Sequence, residues 1–131
     1  MEPGADGHVW VADECNWRVQ VLTKAGVHVR TIGETGQHGQ GNDKFTNPWG
    51  ICVEPGPDGR HVYVCDTDNH RVQVFATKDG AHVHTYGVTG QRDSGNHELA
   101  RPEGVAAEPG PDGLVFVSDW GNHRVHVFCK V

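Results

Sequence analysis

The sequence contains no run of apolar residues long enough for a signal peptide or a membrane-spanning helix, and a membrane partner is not expected. No stretch concentrates charge of one sign. Seventeen acidic and eleven basic residues are scattered along 131 positions for a net charge of −6. Without a basic block to hold phosphates, nucleic acid is a disfavoured partner. The four cysteines, Cys15, Cys52, Cys65 and Cys129, show no CxxC spacing, which gives no indication of redox chemistry. They are expected to be reduced thiols in an intracellular, cytoplasmic protein. Cys52 and Cys65 could face each other across adjacent strands, but a small buried residue is the preferred reading of each.

Glycine, proline and repetition are abundant. Eighteen glycines and seven prolines, with 36% hydrophobic residues, imply one domain of many short elements joined by tight turns. Three segments align without gaps: HVWVADECNWRVQVL from His8, HVYVCDTDNHRVQVF from His61 and LVFVSDWGNHRVHVF from Leu114, a repeat period of 53 residues. The intervening stretches also match, HVRTIGETGQ with HVHTYGVTGQ and NPWGICVEPGPDG with RPEGVAAEPGPDG, and EPGADG from Glu2 is the same turn again. Such a period marks units that bury their faces against one another in a solenoid or propeller.

Alternation predicts four strands per unit, near 50–53, 61–65, 71–75 and 81–86, here termed a, b, c and d. The Pro-Gly-Pro-Asp-Gly turn between a and b makes them an antiparallel hairpin. In strand b the valines face one way and an aromatic the other: Trp10, Tyr63 and Phe116 hold the same place in the three units. A sheet that is apolar on both faces needs a neighbour on each, which a propeller supplies and a two-layer sandwich does not. A right-handed β-solenoid is the weaker alternative, because its coils are shorter and need no four-strand hairpin punctuation.

DTDNHRVQVF from Asp66 and DWGNHRVHVF from Asp119, each after a Val-aromatic-Val strand, resemble the core of the NHL repeat. The paired glycines of kelch repeats and the Trp-Asp of WD repeats are missing. The first unit departs from the pattern, with Trp17 where histidine is expected. The resemblance implies an incomplete six-bladed NHL-type β-propeller of four-stranded antiparallel blades. The units are expected at 1–49, holding strands b, c and d, at 50–103, a full blade, and at 104–131, holding a, b and c. Ten strands cannot close a ring of about six blades. The chain is therefore expected to be a fragment of a larger propeller, or to depend on missing blades or a second copy in a homodimer.

Repeated positions are expected to serve the blade. Asp13, Asp66 and Asp119 end strand b, where a carboxylate can accept N–H groups of the next turn. Asn16, Asn69 and Asn122 follow the same logic, and Arg18, Arg71 and Arg124 are expected to pair with carboxylates or turn carbonyls. His82 and His84 share one strand face at i, i+2 spacing, but no third ligand is placed beside them, and neither metal nor cofactor is expected. The unrepeated loops, GETGQHGQGNDKFTN from Gly33 and GVTGQRDSGNHELAR from Gly87, share an edge with the b–c turns. That edge is the candidate binding face, with Trp17, Lys44, His70, Arg92, Trp120 and His123. The expected role is a non-enzymatic scaffold that binds a protein. Relatives in the tripartite-motif family imply ubiquitin-ligase or RNA-binding alternatives, although no RING or B-box cysteines are present and Lys44, Arg92 and Arg101 are outnumbered by Glu34, Asp43, Asp93 and Glu98. Metal-dependent lyases or hydrolases of NHL-like fold are a further alternative.

Overall fold

Valine-rich alternation produces three antiparallel sheets in the computed structural model, which describes residues 2–3, 7–55 and 59–131. The first sheet comprises β1 (Glu2–Pro3), β2 (Val9–Asp13), β3 (Arg18–Leu22) and β4 (His28–Gly33). The second comprises β5 (Pro48–Val53), β6 (His61–Asp66), β7 (Arg71–Ala76) and β8 (His82–Gly87). The third comprises β9 (Pro102–Ala107), β10 (Leu114–Asp119) and β11 (Arg124–Cys129). Each is an up-and-down meander, the arrangement of a propeller blade.

The first sheet has a fourth strand that the sequence reading did not include, because Glu2 and Pro3 pair with Trp10 and Val9. Strands β5 and β9 begin at Pro48 and Pro102, two residues ahead of the glycines expected to open them. Residues 4–6 of the EPGADG turn and 56–58 of the first Pro-Gly-Pro-Asp-Gly turn lie outside the described residues. In the second such turn Gly110 takes a φ of +84° and its carbonyl accepts from Gly113 N at 3.3 Å.

Two apolar layers lie between the three sheets. Trp10, Val19, Val21 and Ile32 pack with Val53, Val62, Val64 and Phe75 in the first layer. Tyr63, Cys65, Val72 and Val74 pack with Val115 and Val117 in the second. The central sheet is therefore covered on both faces, since β6 sends Val62 and Val64 one way and Tyr63 and Cys65 the other. Burial of each such valine contributes about 1.5–3 kcal/mol. The register sets Cys52 opposite Tyr63 rather than opposite Cys65, so the two cysteines are not direct cross-strand partners.

Strands β5 and β9 approach closely enough that a Cβ on Gly50 would lie 2.1 Å from the Glu103 carbonyl oxygen. Other polar ties join the second and third sheets. Tyr86 Oη donates to Cys129 O at 2.8 Å, and Lys130 Nζ donates to Glu54 Oε1 at 2.5 Å.

Candidate interaction edge

Each b-to-c connection is a single 3-10 turn, Glu14–Asn16, Thr67–Asn69 or Trp120–Asn122, closed by a residue in the left-handed region. Trp17, His70 and His123 occupy that place with φ of 53°, 56° and 54°. Three side chains hold the turn. Asn69 Nδ2 and Arg71 Nε both donate to Asp66 Oδ2, at 2.9 and 2.8 Å, while Asp66 Oδ1 accepts the Thr46 N–H at 2.7 Å. Asn122, Arg124 and Asp119 repeat the arrangement, with the Ala100 N–H as the backbone donor. Asn16 and Arg18 do the same to Asp13.

The arginine also ties down the loop that enters its sheet. Arg71 Nη1 donates to Gln40 O at 2.8 Å, and its Nη2 to Gly41 O and Lys44 O at 2.8 and 3.1 Å. Arg124 makes the matching bonds to Ser94 O, Gly95 O and Glu98 O. A second bond runs to the loop that leaves, from Arg71 to Thr89 Oγ1 and from Arg18 to Thr35 Oγ1. The d-to-a loops and the b-to-c turns therefore share one edge through hydrogen bonds. Asp68 fastens neighbouring loops to this edge, pairing with both Asn47 and Arg101. Thr67 Oγ1 donates across the sheet boundary to Pro102 O at 2.7 Å.

The electrostatics follow burial. Desolvation pushes the Asp66 carboxyl above its ordinary value, against Asn69, Arg71 and the Thr46 N–H. At the more open Asp13, hydrogen bonds from Arg18 and Asn16 prevail and lower it. With both oxygens of Asp66 already accepting from the protein, that carboxylate is poorly placed for proton transfer.

The unrepeated residues are placed differently. Trp120 is 57% exposed and His123 is exposed, both on the third turn. Trp17 is half-buried, edge-on to His38 with ring centroids 5.3 Å apart. Lys44 is half-buried with Nζ 3.2 Å from Glu34 Oε2, whereas Arg92 is exposed. His70 is tied inward, its Nδ1 accepting the Arg101 N–H at 3.0 Å, and burial with the charges of Arg92 and Arg101 lowers its pKa. The edge thus carries the six candidate residues, though His70 and Lys44 are already engaged by the protein.

Trp49 was missed in the sequence. It is 55% exposed and follows Pro48, which pairs with Asp66 at the turn end of β6, so it stands on the same edge. Its only sequence signal is that the matching position holds Glu103, a different chemistry in an otherwise matched stretch. The reading of His82 and His84 as one face is corrected. A bulge pairs Val74 with His84 and Phe75 with His82. His82 then lies beside Phe75, with Nε2 near Gln73 Oε1 and Thr85 Oγ1, while His84 meets Tyr86. Among the described residues no three His, Cys, Asp or Glu side chains gather as a metal site.

Known proteins resemble this chain in sequence or in fold. Residues 45–75 and 99–128 match the NHL repeat. NHL repeat-containing protein 2 of Gallus gallus is 32% identical over 73 residues, which are 51% of this chain and 10% of that protein. The chain thus matches about a tenth of that relative's length. Among solved structures, an auxiliary nutrient binding protein from Bacteroides ovatus superposes with a TM-score of 0.71 at 17% identity, over 92% of this chain and 34% of that one. Hydrazine synthase of Kuenenia stuttgartiensis gives a TM-score of 0.59 at 14% identity, over 98% and 34%. At such identities the likeness concerns the fold alone, and a binding protein and an enzyme on one fold illustrate that fold does not fix function. The repeated Asp-x-x-Asn-x-Arg turns, the stacked meanders and the two repeat matches together show that the chain carries NHL repeats at 45–75 and 99–128, stacked as part of a β-propeller.

Proposed function

We propose that this chain is a non-enzymatic interaction module of a larger propeller, in units 1–49, 50–103 and 104–131, which presents its loop edge to a protein partner in the cytoplasm. The observation that carries this reading is the exposure of Trp49 and Trp120 on an edge whose repeated polar groups are already hydrogen-bonded to the protein. Large aromatics that lie open beside irregular loops supply contact area at low entropic cost, as anchors of protein interfaces do. Phosphate recognition is less well served, because Lys44 and Arg101 are ion-paired with Glu34 and Asp68. Among the described residues no helix is long and apolar enough to cross a membrane.

A photo-crosslinking residue at Trp120 tests the reading, with Lys78 in the β7–β8 connection at the opposite edge as the control. The expected result is a set of protein adducts from cell extract that form at position 120, are absent at 78, and are lost on Trp49→Ala. The same adducts at both positions, or RNA adducts at 120, would overturn it.

A further inference from the structure

The two end faces of the stack carry residues that the internal interfaces bury. On the outer face of the third sheet Phe116 pairs with Val127 and Ser118 with Val125. These match Tyr63 with Val74 and Cys65 with Val72, one repeat earlier. Tyr63, Cys65, Val72 and Val74 are buried against the third sheet, whereas Val125 and Val127 are 65% and 47% exposed. On the outer face of the first sheet Val9 pairs with Leu22 and Val11 with Gln20. These match Val62 with Phe75 and Val64 with Gln73, of which Val62, Val64 and Phe75 are buried against the first sheet. Each free face therefore reproduces one half of an interface that already exists within the chain.

We propose that these two faces are halves of one interface, so that two copies of this chain dock head to tail, the first sheet of one against the third sheet of the other. Val9 and Val11 of one copy then meet Val125 and Val127 of its partner, as Val62 and Val64 meet Val19 and Val21 within the chain. A head-to-tail contact makes a ring when its rotation closes and a filament when it does not. Propellers have about four to eight blades. With three sheets per copy, two copies make a six-sheet ring within that range and three copies would exceed it. The proposal rests on sheet stacking and not on the loop edge, so it and the protein-binding reading fail separately.

Sedimentation equilibrium of the 131-residue chain is the test. Wild type is expected at twice the 14.3 kDa formula mass over the micromolar range. Val127→Glu on one face and Val11→Glu on the other should each give a monomer, and mixing the two variants should restore a one-to-one pair through the single intact junction. Val125→Glu and the milder Val9→Thr serve as second variants, with circular dichroism to establish that each is folded. A folded wild-type monomer would overturn the proposal and assign these faces to other sheets. So would retention of the dimer by Val11→Glu when Val127→Glu abolishes it, since that is a symmetric contact of third sheets. Growth beyond two copies would overturn the closed ring.

Discussion

Asp13, Asp66 and Asp119 each accept a bond from an arginine five residues on, at 2.7 or 2.8 Å, but their surroundings differ. The Asp66–Arg71 pair is wholly buried, Asp119 is buried with Arg124 part-exposed, and Asp13 and Arg18 are both part-exposed. The same chemistry is thus desolvated to different degrees along the chain. Histidines respond to desolvation as well. His70, His82 and His126 all have lowered pKa values, with burial the largest cause in each. An unfolded histidine titrates near 6.5, so between that value and the lower folded value the unfolded chain binds more protons. This part of the stability is fully present above the unfolded value and is lost as pH falls through the folded one. The thermal midpoint should therefore drop between about pH 7.5 and 5.5, above the ordinary carboxylate range. His70→Gln should flatten part of the fall. A midpoint that rises on acidification would contradict the assignment.

At the scale of elements, a glycine decides how close two sheets come. Gly50 admits the Glu103 carbonyl at a position where a Cβ would stand 2.1 Å away, and backbone cannot swing aside. At Gly104 a Cβ would meet the Ser118 hydroxyl at 2.9 Å, which rotation of one side chain relieves. Gly50→Ala is expected to cost about 1–3 kcal/mol or more by overpacking. Gly104→Ala should cost less, which urea unfolding of the two variants will compare. The strands themselves were legible, because Val-x-Val with an aromatic between demands two covered faces and the repeat fixes where each strand falls. The bulge that separates His82 from His84 was not, since an extra residue in β8 leaves the alternation of the letters unchanged. Strand β1 escaped notice because two residues carry no period. The edge was legible as loops and turns, but the exposure of Trp49 depends on the start of β5 at Pro48, ahead of the expected glycine. Likewise the bond from the Thr46 N–H to Asp66 spans twenty positions, a separation that no local pattern shows.

For the whole molecule, the repeated Asp, Asn and Arg hold turns and loops to their sheets. The central sheet gains most from this, being covered on both faces and fastened by Arg71 to both the entering and the leaving loop. Arg18 reaches a leaving loop at Thr35, and Arg124 reaches an entering loop at Ser94. The direct measurement is urea unfolding of Asp66→Ala, Asp119→Ala and Asp13→Ala. Removing one partner of a buried pair costs about 3–5 kcal/mol. For an exposed pair the interaction is worth about 1 kcal/mol at most. The predicted order of destabilisation is Asp66, then Asp119, then Asp13. Equal losses at all three sites, or an Asp66→Ala chain as stable as wild type, would contradict a clamp whose strength is set by burial.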